Sequence, residues 1–191
     1  MLCYIRRLLV IEDSVPWKKE LLKIAAKLES RYNQKRWSQQ SFFALEKELF
    51  LGFFSARKLF ESNKISRTVE TTRFELAAYP VGEKEVTLMN QHRFPELYDL
   101  YAGLTEELTI RDLANQFVHS AILSPFVPSG QSLVGVFIAS DRAKKKMLFY
   151  VPLNKIIGAL RSVANDNPTK YEAHFDDEKK EYVVVLSTET T

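Results

Sequence analysis

The chain is poor in the residues that build several common kinds of site. Its 191 residues include one cysteine, Cys3, so no disulfide can form within one chain, and a zinc site built from several cysteines is excluded. The six glycines are scattered, and none forms a glycine-rich loop after a predicted strand, which argues against a Walker loop or a dinucleotide-binding fingerprint. We therefore expect no cofactor, and the low cysteine content is typical of a protein of the reducing cytoplasm.

Long apolar runs and a strong net charge are also absent. No run approaches the roughly 18 apolar residues that a membrane span needs, so no membrane partner is expected. In residues 1–13, Arg6 and Arg7 split a short apolar run, and the segment lacks the apolar core and cleavage site of a signal peptide. We expect this segment to pack on the domain as a strand or a helical turn. The net charge of +3 is too small to indicate nucleic-acid binding, so a basic surface would have to be local.

Hydrophobic periodicity divides the chain into a mainly helical first part and a mainly extended last part. Helices are predicted over residues 14–34, 38–61, 95–104, 108–121 and 152–166, and strands over 73–81, 133–140, 146–151, 170–175 and 181–187. Helices followed by antiparallel strands favour an α+β fold. We predict a single domain over 1–191, with a helical bundle core mainly within 14–122 and a C-terminal hairpin–helix–hairpin region at 133–187.

The helix predicted over residues 38–61 is apolar over most of its circumference, because phenylalanine and leucine recur on nearly every side of it. Helices of that kind are normally buried. We therefore place it centrally in the bundle, packed on the helices predicted over 14–34 and 108–121.

Residues 108–121, LTIRDLANQFVHSA, have the pattern of a capped amphipathic helix. Thr109 suits the N-cap position, and Asp112, three residues later, suits the reciprocal position of a capping box. The apolar residues of the segment recur at helical spacing and would face a core. The segment therefore presents one apolar side and one polar side.

The polar side of this helix contains Arg111, Asn115 and His119, four residues apart. At about 100° per residue, such steps give one slanting polar stripe. An imidazole passes protons near neutral pH, a guanidinium binds phosphate, and a carboxamide can orient the imidazole or a 2′-hydroxyl. These are the groups that a metal-independent ribonuclease needs, with His119 as general base or acid and Arg111 as the phosphate clamp. The same residues could instead tie the helix to a neighbouring loop, and the sequence leaves both interpretations open.

The segment RDLANQFVHS resembles the motif-bearing helix of the HEPN superfamily, the higher-eukaryote-and-prokaryote nucleotide-binding domains. Their motif is an arginine, a polar residue and then a histidine after four to six residues; here Arg111 precedes Asp112, and seven residues separate Arg111 from His119. A second stretch, FFSARKLFESNKIS at 53–66, is similar to a helix of uncharacterised bacterial proteins. The resemblance implies a helical core and an RNase or RNA-binding role in a bacterial defence or toxin system.

Local basic character is concentrated on the first predicted helix, where Lys19, Lys23, Lys27, Arg31 and Lys35 lie at four-residue spacing. Such a stripe can follow a phosphate backbone. It is equally typical of an ordinary solvated helix face. Both interpretations stay open at this point.

Arg57 is a further candidate for the nucleic-acid face. It lies four residues before Glu61, so a helical ion pair is the simpler interpretation. Alternatively, Arg57 points into the same pocket as His119 and binds phosphate. The leading function is therefore nucleic-acid-directed, with RNA as the partner. The rival is a non-catalytic module for self-association as a homodimer or for binding a protein partner.

Overall fold

The computed structural model describes residues 11–129, 131–178 and 180–188. The segment predicted to pack at the amino terminus, including Cys3, lies mostly outside these ranges. Within them, no helix is both long and apolar enough to cross a membrane. The helices are α1 (Val15–Ser30), α2 (Gln39–Glu61), α3 (Arg67–Glu70), α4 (Ile110–Val118) and α5 (Leu153–Asn165), with short 3-10 helices at Arg31–Asn33 and Gln91–Glu96; the strands are β1 (Arg73–Pro80), β2 (Leu104–Thr109), β3 (Ser120–Phe126), β4 (Gly135–Ser140), β5 (Met147–Pro152), β6 (Lys170–Asp176) and β7 (Glu181–Ser187).

Five of these strands form one antiparallel sheet in the order β2-β1-β5-β4-β3. The predicted pairing of β4 with β5 is confirmed, with Val136 opposite Val151. Each of the two strands also has a second neighbour, because β5 pairs with β1 and β4 pairs with β3. The predicted hairpin of β6 and β7 is also confirmed, as a separate two-stranded sheet.

The two faces of the large sheet are covered by different parts of the chain. On one face, Leu76 and Ile138 belong to the main core with the buried sides of α1, α2, α4 and α5. On the other face, Leu148 packs with Leu97 from the irregular segment 81–103. Because successive side chains of a strand point to opposite faces, the central strands are apolar on both faces.

The predicted helical bundle core is wrong. The main core lies between the helices and one face of the sheet. The part predicted to be mainly helical, 14–122, contains β1, where a strand was expected, but also β2 and the first residues of β3, where none was. Strands β4 and β5 lie at the centre of the sheet and are not a C-terminal hairpin region. The physical reason is that an isolated hairpin buries little surface and leaves backbone groups unpaired. The apolar strands GVFIAS and MLFYV therefore require strands on both sides and packing layers on both faces.

The two edge strands do not follow from the sequence pattern. Strand β2 is mostly exposed and carries Glu106 and Glu107, and charge of this kind is typical of a sheet edge. Strand β3 contains Pro125, which an edge strand tolerates because the missing N–H has no partner to satisfy. The helix predicted over 95–104 is wrong, since a 3-10 helix ends there at Glu96, Tyr98 then forms a β-bridge with Val81, and turns lead to β2.

Helix α2 has nearly the predicted bounds but not the predicted burial. Ser38 is its N-cap, and its side chain accepts a hydrogen bond from the Ser41 backbone N at 3.2 Å. The helix packs on α1 and α4, as predicted. Phe53 is completely buried, whereas Phe43 and Leu51 are 55% and 48% exposed. Within the described residues, one side of α2 is therefore left uncovered.

Candidate functional site

Helix α4 begins with the predicted capping box. The Thr109 hydroxyl accepts a hydrogen bond from the Asp112 backbone N at 3.0 Å, and the Asp112 carboxylate accepts one from the Thr109 backbone N at 3.2 Å. The helix is shorter than predicted, since it ends at Val118. His119 is the C-cap, with φ −111° and ψ 25°, and the next residue begins β3. The helix ends here because the next residues pair with β4 as strand β3, so His119 lies between α4 and β3.

An aromatic pair fixes how α2 crosses α4. The rings of Phe53 and Phe117 are stacked, with centroids 4.0 Å apart and an interplanar angle of 8°, and both side chains are completely buried. Arg57 follows Phe53 by one helical turn, and His119 follows Phe117 by two residues. The packing of these two rings therefore brings Arg57 and His119 to the same surface.

Arg57 makes both of the contacts that the sequence presented as alternatives. Its Nε donates a hydrogen bond to Glu61 Oε1 at 2.7 Å, and its Nη1 contacts His119 Nε2. Hydrogen bonds from Lys58 and then Arg57 lower the pKa of the Glu61 carboxyl. A guanidinium donates and cannot accept, so a hydrogen bond between these two atoms requires His119 Nε2 as the acceptor, with the ring hydrogen on Nδ1.

Arg57 and His119 line a cleft of about 580 Å³, which we name the polar cleft. His119 is exposed and Asn115 is half-buried. The Asn115 carboxamide makes no hydrogen bond with the described residues, so its donors and acceptor remain available to a ligand. The cleft is lined by Arg57, Leu108, Asp112, Asn115, Gln116, His119, Ser140, Asp141 and Arg142.

The connection between α4 and the loop at residues 141–146 uses other groups. Gln116 Oε1 accepts a hydrogen bond from the Ser140 backbone N at 2.9 Å, and the His119 backbone O accepts one from the Asp141 backbone N at 2.9 Å. The Lys144 ammonium lies 2.7 Å from Asp141 Oδ1 and lowers the pKa of that carboxyl. The His119 side chain is therefore not used to fasten the loop.

This fastened loop brings Arg142 to the cleft. The residues of the loop, DRAKKK, carry four positive charges, and this was the only sequence signal for a basic group here. Lys144 is buried, whereas Arg142, Lys145 and Lys146 are exposed. Arg142 is thus a candidate binding residue that the sequence did not single out, because nothing local indicates which helix the loop will approach.

Arg111 is not brought into the polar cleft with Asn115 and His119. Its Nε contacts Glu70 Oε1, and its guanidinium carbon lies 5.5 Å from the centroid of the Phe60 ring. The structure therefore brings together two residues of the predicted stripe with Arg57, and it places the third beside α3. The catalytic role of Arg111 stays a prediction.

The basic stripe of α1 lies elsewhere. Lys19, Lys23 and Lys27 are exposed, but none of them lines the polar cleft. Arg31 is turned inward: its side chain is 15% exposed and its Nη2 lies 3.1 Å from both carboxylate oxygens of Glu48. Of the residues predicted to form a nucleic-acid face, Arg57 alone reaches the cleft.

The described part of the chain contains no group of three or more His, Cys, Asp or Glu side chains arranged to hold a metal ion. Comparisons with protein-family models, with curated proteins and with solved structures find no match to this chain. The relationship to the HEPN superfamily stays a prediction, and what the polar cleft does must follow from its own residues.

Proposed function

We propose that the polar cleft binds the phosphodiester backbone of RNA and that His119 takes the proton from a 2′-hydroxyl, so that the chain cleaves RNA. The observation that carries this proposal is the contact between Arg57 and the exposed His119 in the cleft. It places a guanidinium, which suits phosphate, beside an imidazole, which passes protons near neutral pH.

Arg57 is held in an orientation that suits phosphate binding. Its Nε is occupied by Glu61, which fixes the plane of the guanidinium. Its Nη1 donates to the neutral ring of His119, and a charged phosphate oxygen is a stronger acceptor than a neutral ring nitrogen. A phosphate can therefore displace His119 from Nη1. Arg142 adds a second guanidinium to the cleft, and exposed lysines follow it in the same loop.

Displacement of the guanidinium frees the lone pair of His119 Nε2 for catalysis. The ring nitrogen accepts the proton of the 2′-hydroxyl while the 2′ oxygen forms a bond to phosphorus. The bond from phosphorus to the 5′ oxygen breaks, that oxygen takes a proton from water, and the hydroxide left behind takes the proton held by His119. The products are a 2′,3′-cyclic phosphate and a 5′-hydroxyl. The guanidinium groups of Arg57 and Arg142 stabilise the charge that develops on the phosphate oxygens, and Asn115 orients the 2′-hydroxyl.

The test is a cleavage assay with single-stranded RNA and the purified chain in EDTA, followed by identification of the new ends. We expect 2′,3′-cyclic phosphate ends and no cleavage of DNA of the same sequence. His119→Ala should lower the rate by about 10²–10⁴, the usual contribution of general acid–base catalysis. His92→Ala is the matched control, because His92 is also exposed but lines a different cavity.

Arginine variants decide which guanidinium acts. Arg57→Ala should lower the cleavage rate, and Arg111→Ala should leave it unchanged, because Arg111 is paired with Glu70 outside the cleft. If both substitutions lower the cleavage rate equally, Arg111 also binds the phosphate. If the parent chain neither binds nor cleaves RNA, the proposal is wrong.

A further inference from the structure

A second large cavity, of about 650 Å³, lies between α1 and α2. Apolar side chains from both helices line it, and charged side chains stand among them. No residue that lines the polar cleft lines this second cavity. We name it the apolar groove, and the residues that matter here are Trp17, Glu20, Ile24, Lys27, Phe43 and Leu51.

The walls of the apolar groove expose several large apolar side chains that lie close together. Trp17, Phe43 and Leu51 are 37%, 55% and 48% exposed, and all three border the same cavity. Contiguous apolar patches on a protein surface mark interaction sites. A helix that is apolar over most of its circumference is normally buried. Among the described residues, α2 packs mainly on α1, α4 and α5, and this packing leaves Phe43 and Leu51 exposed. The exposed side therefore has the character of an interface.

Two of the charged residues that line the groove, Glu20 and Lys27, are placed so that this part of the surface is complementary to itself; Lys47 also lines the groove, and Glu48 is paired with Arg31. Glu20 and Lys27 lie on the same side of α1, seven residues and about 10.5 Å apart along its axis. A two-fold axis that passes between them near Ile24 would place Glu20 of each copy opposite Lys27 of the other. The Lys27 ammonium makes no ion pair with the described residues, and Glu20 pairs with the exposed Lys23, at 3.1 Å.

We propose that the apolar groove is the interface of a two-fold symmetric homodimer, in which Trp17 and Phe43 of one copy pack into the groove of the other. The same patch then serves both subunits, as two-fold symmetry requires. A uniformly acidic or basic partner would meet a like charge at one end of the groove, whereas a second copy meets the opposite charge at both. The dimer leaves the polar cleft open, so this inference does not depend on the proposed RNA cleavage.

Sedimentation velocity of the full chain over a series of concentrations tests the dimer. The expected mass at high concentration is twice 22.1 kDa. Leu51→Glu should raise the dimer dissociation constant at least tenfold, because it puts a charge at the centre of the apolar contact. Met89→Glu is the control: Met89 is 82% exposed on the segment 81–103 and should leave the constant unchanged. Circular dichroism establishes that both variants remain folded.

A charge exchange tests the predicted register. Glu20→Lys and Lys27→Glu should each weaken the dimer by placing like charges opposite each other, and the double variant should restore it. A parent chain that stays monomeric, a dimer that tolerates Leu51→Glu, or a double variant that is not restored would overturn the proposal. A carbodiimide cross-link from Glu20 to the amino terminus of the same chain would also overturn it, since residues 1–10 would then fill the groove.

Discussion

Replacement of Phe53 by alanine tests the contact that creates the polar cleft. Phe53 is completely buried in α2 and stacks on the equally buried Phe117 of α4. Alanine removes the ring and leaves a cavity at the crossing of the two helices. The substitution should also separate Arg57 from His119 in the polar cleft, because these two side chains meet only when α2 and α4 cross in this way.

The expected loss follows from the burial of the ring. Removal of a fully buried phenylalanine costs about 3–5 kcal/mol, of which an aromatic pair accounts for about 0.5–1.5 kcal/mol. In a protein of 191 residues, 1 kcal/mol shifts the melting temperature by about 2–4 °C. Phe53→Ala should therefore lower the melting temperature by about 6–20 °C.

The neighbouring residue provides a matched control for this measurement. Phe54 lies on the same helix but is 44% exposed, and its described ring contact is Lys58 at 5.8 Å. Phe54→Ala should cost less than about 1 kcal/mol, since an exposed cation–π contact contributes no more than that. Urea unfolding of the two variants beside the parent measures the difference. If both substitutions lower the free energy of unfolding equally, the assignment of buried and exposed sides of α2 is incorrect.

Three further predictions concern parts of the fold away from the cleft. The buried Asp166 carboxylate accepts hydrogen bonds from the Ser66 backbone N at 2.5 Å and from the Ser66 Oγ at 2.8 Å. Asp166→Ala should therefore lower the free energy of unfolding, measured with urea, by about 1–3 kcal/mol for each donor left unpaired. Burial raises the pKa of Tyr98 from 10.0 to about 12. The stability that this shift contributes is complete below pH 10 and should be lost as the pH rises through 12. Melting temperatures measured across this pH range should not show that loss in Tyr98→Phe. Gly135→Ala should lower the melting temperature, because its Cβ would lie 2.6 Å from the Val151 backbone O; a melt equal to that of the parent would contradict this close approach.

The elements that could be predicted from the sequence are those with a strong local pattern. Helices α1, α2 and α5, strand β1 and the hairpins β4–β5 and β6–β7 have periodic or alternating stretches bounded by turn residues. The edge strands lack such patterns, because a strand at a sheet edge tolerates the charged residues of β2 and the proline of β3. Without these two strands the sequence does not indicate the five-stranded sheet, and the helical pattern alone predicts a bundle.

The candidate site was predictable only in its local parts. The capping box of Thr109 and Asp112 depends on residues three apart, and it is confirmed. The meeting of Arg57 with His119 depends on how two helices far apart in sequence cross, so the sequence left it as one of two alternatives. The same limit explains why Arg111 was grouped with His119. Helical spacing aligns their positions, but the helix ends before His119, and Arg111 pairs with Glu70 of α3.

The most direct test of the central claim, that RNA binds beside His119, is the nitrogen-15 spectrum of the histidine rings. The chain has three histidines, so the signals are few, and the free protein should show an unprotonated Nε2 at His119. Titration with an RNA oligonucleotide that carries 2′-deoxy substitutions, and so cannot be cleaved, should shift the His119 signals and leave those of His92 and His174 unchanged. In Arg57→Ala the shift should disappear. Equal shifts at all three rings, or no shift at His119 when RNA is in excess, would contradict the claim.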